Sequence, residues 1–456
     1  MTRRADPSAS TARFSHRFET LQQLASDVLA QARKQEASAC EVDVSDGFGQ
    51  SVTVRRGEVE TIEHNRDKSI AVTIYVGQCK GQASTSDFSP KAWRETVEAA
   101  FNIARFTAAD PCAGLPEREW LANADQCRDL DLHHPWLLGV DAAAELARRC
   151  EQAAFAYSPR VSNSEGATVS IQEGQFVSAN SLGFMGGYPT SRHYLSCSVI
   201  AGENDGMQRD EWYSIARDPA TIATPESIGQ LAAERAVSRL GARKLRTCQV
   251  PVLFEAPLAS SLIAHFVHAA SGGSLYRKAS FLLDSLGKRV FSRKVRISER
   301  PHLPGALAST CFDSDGVATH EREVVSGGRL QGYFLSTYSG RKLGMQSTGN
   351  AGGNHNLIVH PGKHDFTGLL HKMGRGLLVT ELLGHGVNYV TGDYSRGAAG
   401  YWIEDGAPAF PVEEITIAGN LRDMFRNVAA VGNDVLVRGS KQVGSLLIDS
   451  MTVAGD

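Results

Sequence analysis

Ile70, Val72, Ile74 and Val76 alternate with Ala71, Thr73 and Tyr75, the two-residue period of a strand buried on one face. A helix cannot satisfy that period, because its faces repeat every 3.6 residues. The neighbouring chain agrees. Glu41–Ser45 and Ser51–Arg55 alternate, Gly57 marks a turn into Glu58–His64, and Gly77 and Gly81 punctuate a strand ending near Asp87. On either side the period changes. Leu21, Leu24, Val28 and Ala32 form one helical stripe over Phe18–Lys34. Ser89 is placed as an N-cap, with Pro90 at the first position of a helix reaching about Phe106. The first unit therefore reads helix, β-meander, helix.

Ala108–His134, with Pro111, Gly114 and Pro116, has little periodicity and reads as a linker over the surface. The pattern then returns: a helix from Asp141 to about Ala156, strands at Val161–Glu173, Gln175–Asn180, Arg192–Ala201 and Met207–Ala216, and a helix from Pro225 to Leu240. After Gln249–Glu255, a short strand, Leu258, Leu262, Phe266 and Ala270 share one face of a helix. Beyond it come short strands broken by glycine. Gly327-Gly328 makes a hairpin between Arg322–Ser326 and Arg329–Ser336, and Thr348–Asn354 reads as a flexible loop. Gly376–Leu383, Gly397–Glu404, Val412–Ala418 and Ser445–Val453 read as strands, with one helix near Asn420–Ala430. The expected fold is α+β: two small helix–β-meander–helix N-terminal parts and a large β-rich C-terminal domain. The boundaries fall at 1–38 (tail and first helix), 39–107 (N-terminal domain), 108–134 (linker), 135–243 (central domain) and 244–456 (C-terminal domain).

Composition narrows the function. The 44 glycines suit many tight turns. With 47 Lys and Arg against 50 Asp and Glu, the chain lacks the basic excess of a general nucleic-acid binder. No run of about 18 apolar residues offers a membrane span. The segment Met1–Arg17 is Arg- and Ser-rich with Asp6 as its one acid, and reads as a frayed tail, since it lacks the apolar stretch of a secretory signal. The 8 cysteines, Cys127 among them, are scattered with no CxxC, as expected of free thiols in a reducing cytoplasm.

No complete catalytic motif appears. His265 and His268 stand three apart on one helix face, a spacing that can share a metal. No carboxylate separates them, so the base of an HExxH site is missing, and a polar helix face or a satisfied core histidine is the simpler reading. His355, His360, His364, His371 and His385 crowd one stretch without fitting one helix face. There is no GxSxG elbow. Gly287-Lys288 is followed by Arg289 where a phosphate cradle needs Ser or Thr, and no GxGxxG follows a strand. Tyr276, Arg277, Lys278, Lys288, Arg289, Arg293, Lys294 and Arg296 make a basic stretch. It reads as a solvated loop face or as a surface for carboxylates or a partner.

The segment Ser271-Gly-Gly-Ser-Leu-Tyr-Arg-Lys-Ala-Ser-Phe-Leu-Leu-Asp-Ser-Leu-Gly-Lys288 resembles the PmbA (TldE) branch of the TldD/PmbA family. So do Tyr333–Gly344, Thr348–Asn354 and the stretch Thr380–Gly406, and the resemblance runs from about Glu41 to the C-terminus. It implies a cytoplasmic metalloprotease subunit in a homo- or hetero-oligomer. In this family a TldD chain carries HExxxH on a helix and binds zinc, a TldE chain pairs with it, and the pair cuts small or unfolded peptides in peptide maturation and degradation. An extended peptide would add as a strand to a sheet edge.

The sequence departs from the TldD pattern where the metal would sit. The first His position falls on Ala264, the Glu on His265 and the second His on Ala269. Sliding by one puts Phe266 and Ala270 in the remaining positions, and no cysteine follows Arg438. Methyl groups do not coordinate zinc. No catalytic or metal residue is therefore assigned to this chain, and no cofactor is expected on it. Zinc is expected on a TldD-like partner, and neither nucleic acid nor membrane is an expected partner. Ser271, Gly272, Gly273, Tyr276, Arg277 and Lys278 are the candidates for substrate or partner contact. Two alternatives stand: an independent metal hydrolase using His265, His268 and His385, or a regulatory scaffold, since some family members carry a gyrase-modulator label.

Overall fold

The computed structural model describes residues 13–123 and 129–455. Most of the N-terminal tail, with Asp6, and Cys127 of the linker lie outside the described residues. The alternating segments become β1 (Ala39–Arg55), β2 (Glu58–Val76) and β3 (Cys79–Thr85). The second meander is β4 (Val161–Asn180), β5 (Met185–Ala201) and β6 (Gln208–Ala216). The two meanders share a sheet. β1 pairs antiparallel with β4 from Glu41↔Asn180 to Val54↔Ala167, giving the order β3-β2-β1-β4-β5-β6.

Val161–Glu173 and Gln175–Asn180, expected as two strands, are one, and β5 starts at Met185 rather than Arg192. Glycine hides this from the sequence. A Cβ on Gly187 would lie 2.1 Å from the Phe176 carbonyl oxygen, so glycine here serves close packing rather than a turn.

Helices Phe18–Lys34, Pro90–Phe106, Val140–Tyr157 and Pro225–Ser238 cover one face of this sheet. Cys40, Val42 and Val44 of β1 pack with the first pair of helices, and Val52 and Val54, further along the same face, pack with the second. Ser89 caps its helix, accepting from the Ala92 amide. The linker is partly buried: Leu130 and Leu132 pack with Phe184, Cys311 and Phe312.

The C-terminal strands are β7 (Cys248–Phe254), β8 (Ile297–Glu299), β9 (Arg322–Ser326), β10 (Arg329–Leu330), β11 (Leu357–Val359), β12 (Gly376–Leu383), β13 (Asp393–Glu404), β14 (Ala407–Asn420), β15 (Val428–Val431), β16 (Leu436–Val437), β17 (Lys441–Val443) and β18 (Leu446–Ala454). They form two sheets. One runs β10-β9-β8-β11-β17-β16. The other runs β14-β13-β12-β7-β18-β15, and β14 also pairs with β18, so five strands close on themselves. The helix Ala256–Ala269 inserts Phe266 into the core between them, against Phe291, Phe334 and Phe425.

Three local readings are corrected. The strand expected over Arg329–Ser336 ends at Leu330, and Ser336 caps an unforeseen helix, Thr337–Leu343, in a capping box with Ser339. The helix expected near Asn420–Ala430 is Leu421–Arg426, and the apolar run after it is β15. The Thr348–Asn354 loop is tied down. Asn350 donates to Glu299 Oε1 at 2.9 Å and accepts from Arg322 at 3.0 Å, while Arg322 pairs with Glu299 at 2.7 Å.

Among the described residues every cysteine is a free thiol, and no helix is long and apolar enough to cross a membrane.

Gly229 sets the spacing of two helices on the first sheet. A Cβ there would lie 2.0 Å from the Cys150 carbonyl oxygen. Although alanine favours helix, Gly229→Ala should cost about 1–3 kcal/mol through overpacking. Urea unfolding reads this as a lower midpoint, and an unchanged or raised midpoint would contradict the close packing.

Candidate functional site

The helix Ala256–Ala269 begins directly after β7, with Glu255 as its N-cap residue and Pro257 in its first turn. Ala259, Leu262, Ile263, Phe266 and Ala269 are buried. Their spacing leaves Ser260, Ser261, Ala264, His265 and His268 on the remaining faces.

Its N-terminus is anchored to the first sheet. Arg235, on the helix Pro225–Ser238, donates to Glu255 through both terminal nitrogens, at 3.1 and 2.9 Å. The same guanidinium donates to Asp210 of β6 at 3.0 Å and to the Thr380 carbonyl of β12 at 3.2 Å. Arg239 adds bonds to Asp210 and Glu381. All these groups are largely buried, where a bidentate arginine–carboxylate pair fixes geometry as well as charge.

One flank of the helix borders a cavity of about 210 Å³. Ser260, Ser261 and Ala264 form its helix side, and Leu436–Lys441 form the opposite wall. Its charged side chains are Arg438 and Lys441, and no imidazole, thiolate or carboxylate lines it. Arg438 lies 4.0 Å over the Trp212 ring and 3.9 Å over Tyr213, and donates to the Tyr213 carbonyl at 2.9 Å. Its Nε is buried without a partner. Burial pushes the Lys441 ammonium below its usual range. A divalent ion needs electron-pair donors of low charge or negative charge, so this wall does not fit one. Its chemistry suits an anion.

The other flank is aromatic. His265 Nδ1 lies 2.8 Å from the Tyr389 hydroxyl, and the His268 ring packs 4.0 Å from the Tyr389 ring. Burial, with Arg396 and His268 nearby, pulls the His265 imidazole down to about 4, so it is neutral at neutral pH. His385 is exposed beyond the end of β12. The three histidines proposed for an independent metal site are not brought together: among the described residues no three His, Cys, Asp or Glu side chains form a metal-sized group.

The candidate contact residues follow the helix and divide in two. Ser271 caps the short helix Gly272–Tyr276, accepting from the Ser274 amide. A Cβ on Gly272 would meet Ser339 Oγ at 2.1 Å, so this glycine lets the short helix lie against Thr337–Leu343. A Cβ on Gly273 would sit 3.3 Å from Arg277 Nη2. Tyr276 meets Tyr338 edge to face at 5.7 Å. Arg277 and Lys278 are exposed, with Arg277 over the Tyr276 ring at 5.3 Å. Sequence reasoning missed Arg438, Lys441, Tyr389 and Arg396. They are far from the helix in sequence, and single basic or aromatic residues in loops and strands carry no signal of their own.

Three family models match the chain in succession: the PmbA/TldA metallopeptidase domain 1 over residues 40–104, the central domain over 133–240 and the C-terminal domain over 247–455. The chain is 48% identical to Metalloprotease PmbA of Escherichia coli over 419 residues, covering 92% of this chain and 93% of that one. It is 47% identical to the Metalloprotease PmbA homolog of Haemophilus influenzae over 448 residues, covering 98% and 99%. A crystal structure of a candidate modulator of DNA gyrase from Bacteroides thetaiotaomicron superposes with a TM-score of 0.91 at 26% identity, covering 95% of this chain and 99% of that one.

The depressed His265 value gives a signed pH dependence. A folded-state value near 4 against the ordinary 6.5 means that the unfolded chain binds the extra proton first. This contribution to stability is complete above about pH 6.5 and is lost as pH falls towards 4. Denaturant titrations across that window should show a shallower slope for His265→Gln than for the unsubstituted chain. Equal slopes would contradict the buried neutral imidazole.

Proposed function

The chain belongs to the PmbA/TldD metallopeptidase family, on its PmbA (TldE) side, and from that premise we propose that it is the subunit of a peptide-cleaving TldD/TldE pair whose metal chemistry the TldD-like partner carries. The observation that carries this reading is the cavity beside Ala264. Ala264, which the resemblance sets against the first metal-binding histidine of the TldD helix, lines this cavity together with Arg438 and Lys441. Two cations at that wall repel a divalent ion, so a chain built this way relies on another for the metal. Its own contribution is to shape the chamber and the peptide cleft. The substrates in this reading are small or unfolded peptides in extended form, gripped through their main chain at a sheet edge, in peptide maturation and degradation in the cytoplasm.

The exposed pair Arg277 and Lys278 supports a partner or substrate surface at the end of the same helix. Neither takes part in the packing that occupies Ser271 and Gly272. Reversing both charges, Arg277→Glu with Lys278→Glu, should weaken pull-down of a TldD-like chain, or cleavage of an unfolded peptide by the reconstituted pair, by about tenfold or more. Thermal unfolding of the isolated chain should be unaltered, since both side chains are exposed. Unchanged assembly and unchanged cleavage would count against this surface.

A further inference from the structure

A second cavity lies away from the helix Ala256–Ala269. It measures about 660 Å³ and opens where the β1–β3 end of the first sheet, the chain after the helix Pro90–Phe106 and the helix Thr337–Leu343 meet. That volume is in the range of small-molecule and side-chain binding sites. Ile103 and Pro116 supply apolar wall, while Glu41, Tyr75, Asp315 and Thr337 supply polar groups.

Two of these groups are carboxylates without an ion pair, although Lys80 also lines the cavity and lowers the Glu41 carboxyl from a distance. Glu41 stands on the face of β1 opposite Cys40 and Val42, and its Oε1 accepts from the Tyr75 hydroxyl at 2.6 Å. Asp315 Oδ2 accepts from the Thr337 amide at 2.9 Å. Among the described residues neither carboxylate has an ion-pair partner, whereas Asp110 at the rim of the same cavity pairs with Lys342 at 2.9 Å. The Thr337 residue is 3% exposed, and its Oγ1 is buried with no hydrogen-bond partner. A protein gains nothing in stability by holding two carboxylates and an unused hydroxyl around a void. A cationic ligand in direct contact with them, which Lys80 does not provide, accounts for all three.

We propose that this cavity binds a basic amino-acid side chain, its cationic head between Glu41 and Asp315 and its stem along Ile103 and Pro116. A guanidinium offers several N–H donors in a plane, enough for both carboxylates and the Thr337 hydroxyl oxygen together. The apolar wall suits a methylene stem.

The charges around Glu41 give the site a pH signature. Burial raises its carboxyl to about 7. The Tyr75 hydrogen bond and Lys80 on β3 pull it down, while Asp315 and Asp43 push it up. Arg341, from the helix Thr337–Leu343, acts on Tyr75 in the downward direction. The cation prefers the ionised carboxylate, so affinity should be full above about pH 7 and fall as pH drops through it.

The test uses the full chain alone, so its outcome is independent of pairing with a TldD-like partner. Calorimetric titration at about pH 8 with N-acetyl-arginine amide should show binding, with the neutral isostere N-acetyl-citrulline amide at least about tenfold weaker and the arginine probe weakened at about pH 6. Glu41→Gln keeps an acceptor for Tyr75 and removes the charge. It should lose at least about tenfold in affinity, with a melting temperature equal to or above that of the parent. Should Glu41→Gln fail to fold, Asp315→Asn, which keeps an acceptor for the Thr337 amide, replaces it with the same expectation. Equal affinity for the two probes, no binding of either, or unchanged affinity in the folded variant would each overturn the proposal.

Discussion

The Arg235 guanidinium touches three elements at once: Asp210 on β6, Glu255 at the start of the helix Ala256–Ala269, and the Thr380 carbonyl on β12. The first sheet and the closed C-terminal sheet have separate cores, and Arg239–Glu381, Gln208–Glu413 and Ser238–Tyr401 add further polar links between them. This contact fixes where the helix begins relative to both, and so which way Ala264 and His265 face. Removing it would leave the buried Glu255 carboxylate without its arginine, the costliest way to break such a cluster, while Asp210 keeps Arg239. The helix side of the candidate site, Ser260, Ser261 and Ala264, takes its position from that anchor.

From the anchored helix two different surfaces follow. Towards Leu436–Lys441 the helix shows Ala256, Pro257, Ser260, Ser261 and Ala264, none of them charged, and the facing wall is cationic. Towards Tyr389 it shows His265 and His268, packed into aromatic contacts. The imidazoles that draw attention in the sequence are thus used in packing, and a neutral His265 among tyrosines matches its depressed titration. The acidic cavity near Glu41 has the opposite charge from the Ala264 cavity and a different address, between the first sheet and the helix Thr337–Leu343.

Regular periods were legible in the sequence, and long-range pairing was not. Ile70, Val72 and Ile74 announced β2, and Ser89-Pro90 announced its helix, because those signals are local. That β1 would pair with β4 is a contact between segments more than a hundred residues apart, which no local period encodes. The split expected at Gly174 and the late start expected at Arg192 both gave way to continuous strands, β4 and β5, that run through Gly174 and Gly187. The helix Thr337–Leu343 was missed although Ser336 and Gly344 bracket it, since seven residues show too few turns for a clear stripe. At the site, Ala264 drew attention only through the resemblance, while Arg438 and Lys441 gained meaning only when the fold set them in the same cavity.

The central claim is that this chain pairs with a metal-bearing partner and holds no metal of its own. Zinc content of the purified chain, measured by inductively coupled plasma mass spectrometry, tests it most directly. The account predicts near-zero zinc per chain, because the wall facing Ala264 is cationic and the His265 face is occupied by Tyr389. About one zinc per chain, lost on His265→Ala or His268→Ala, would contradict it and make the chain a metalloenzyme in its own right.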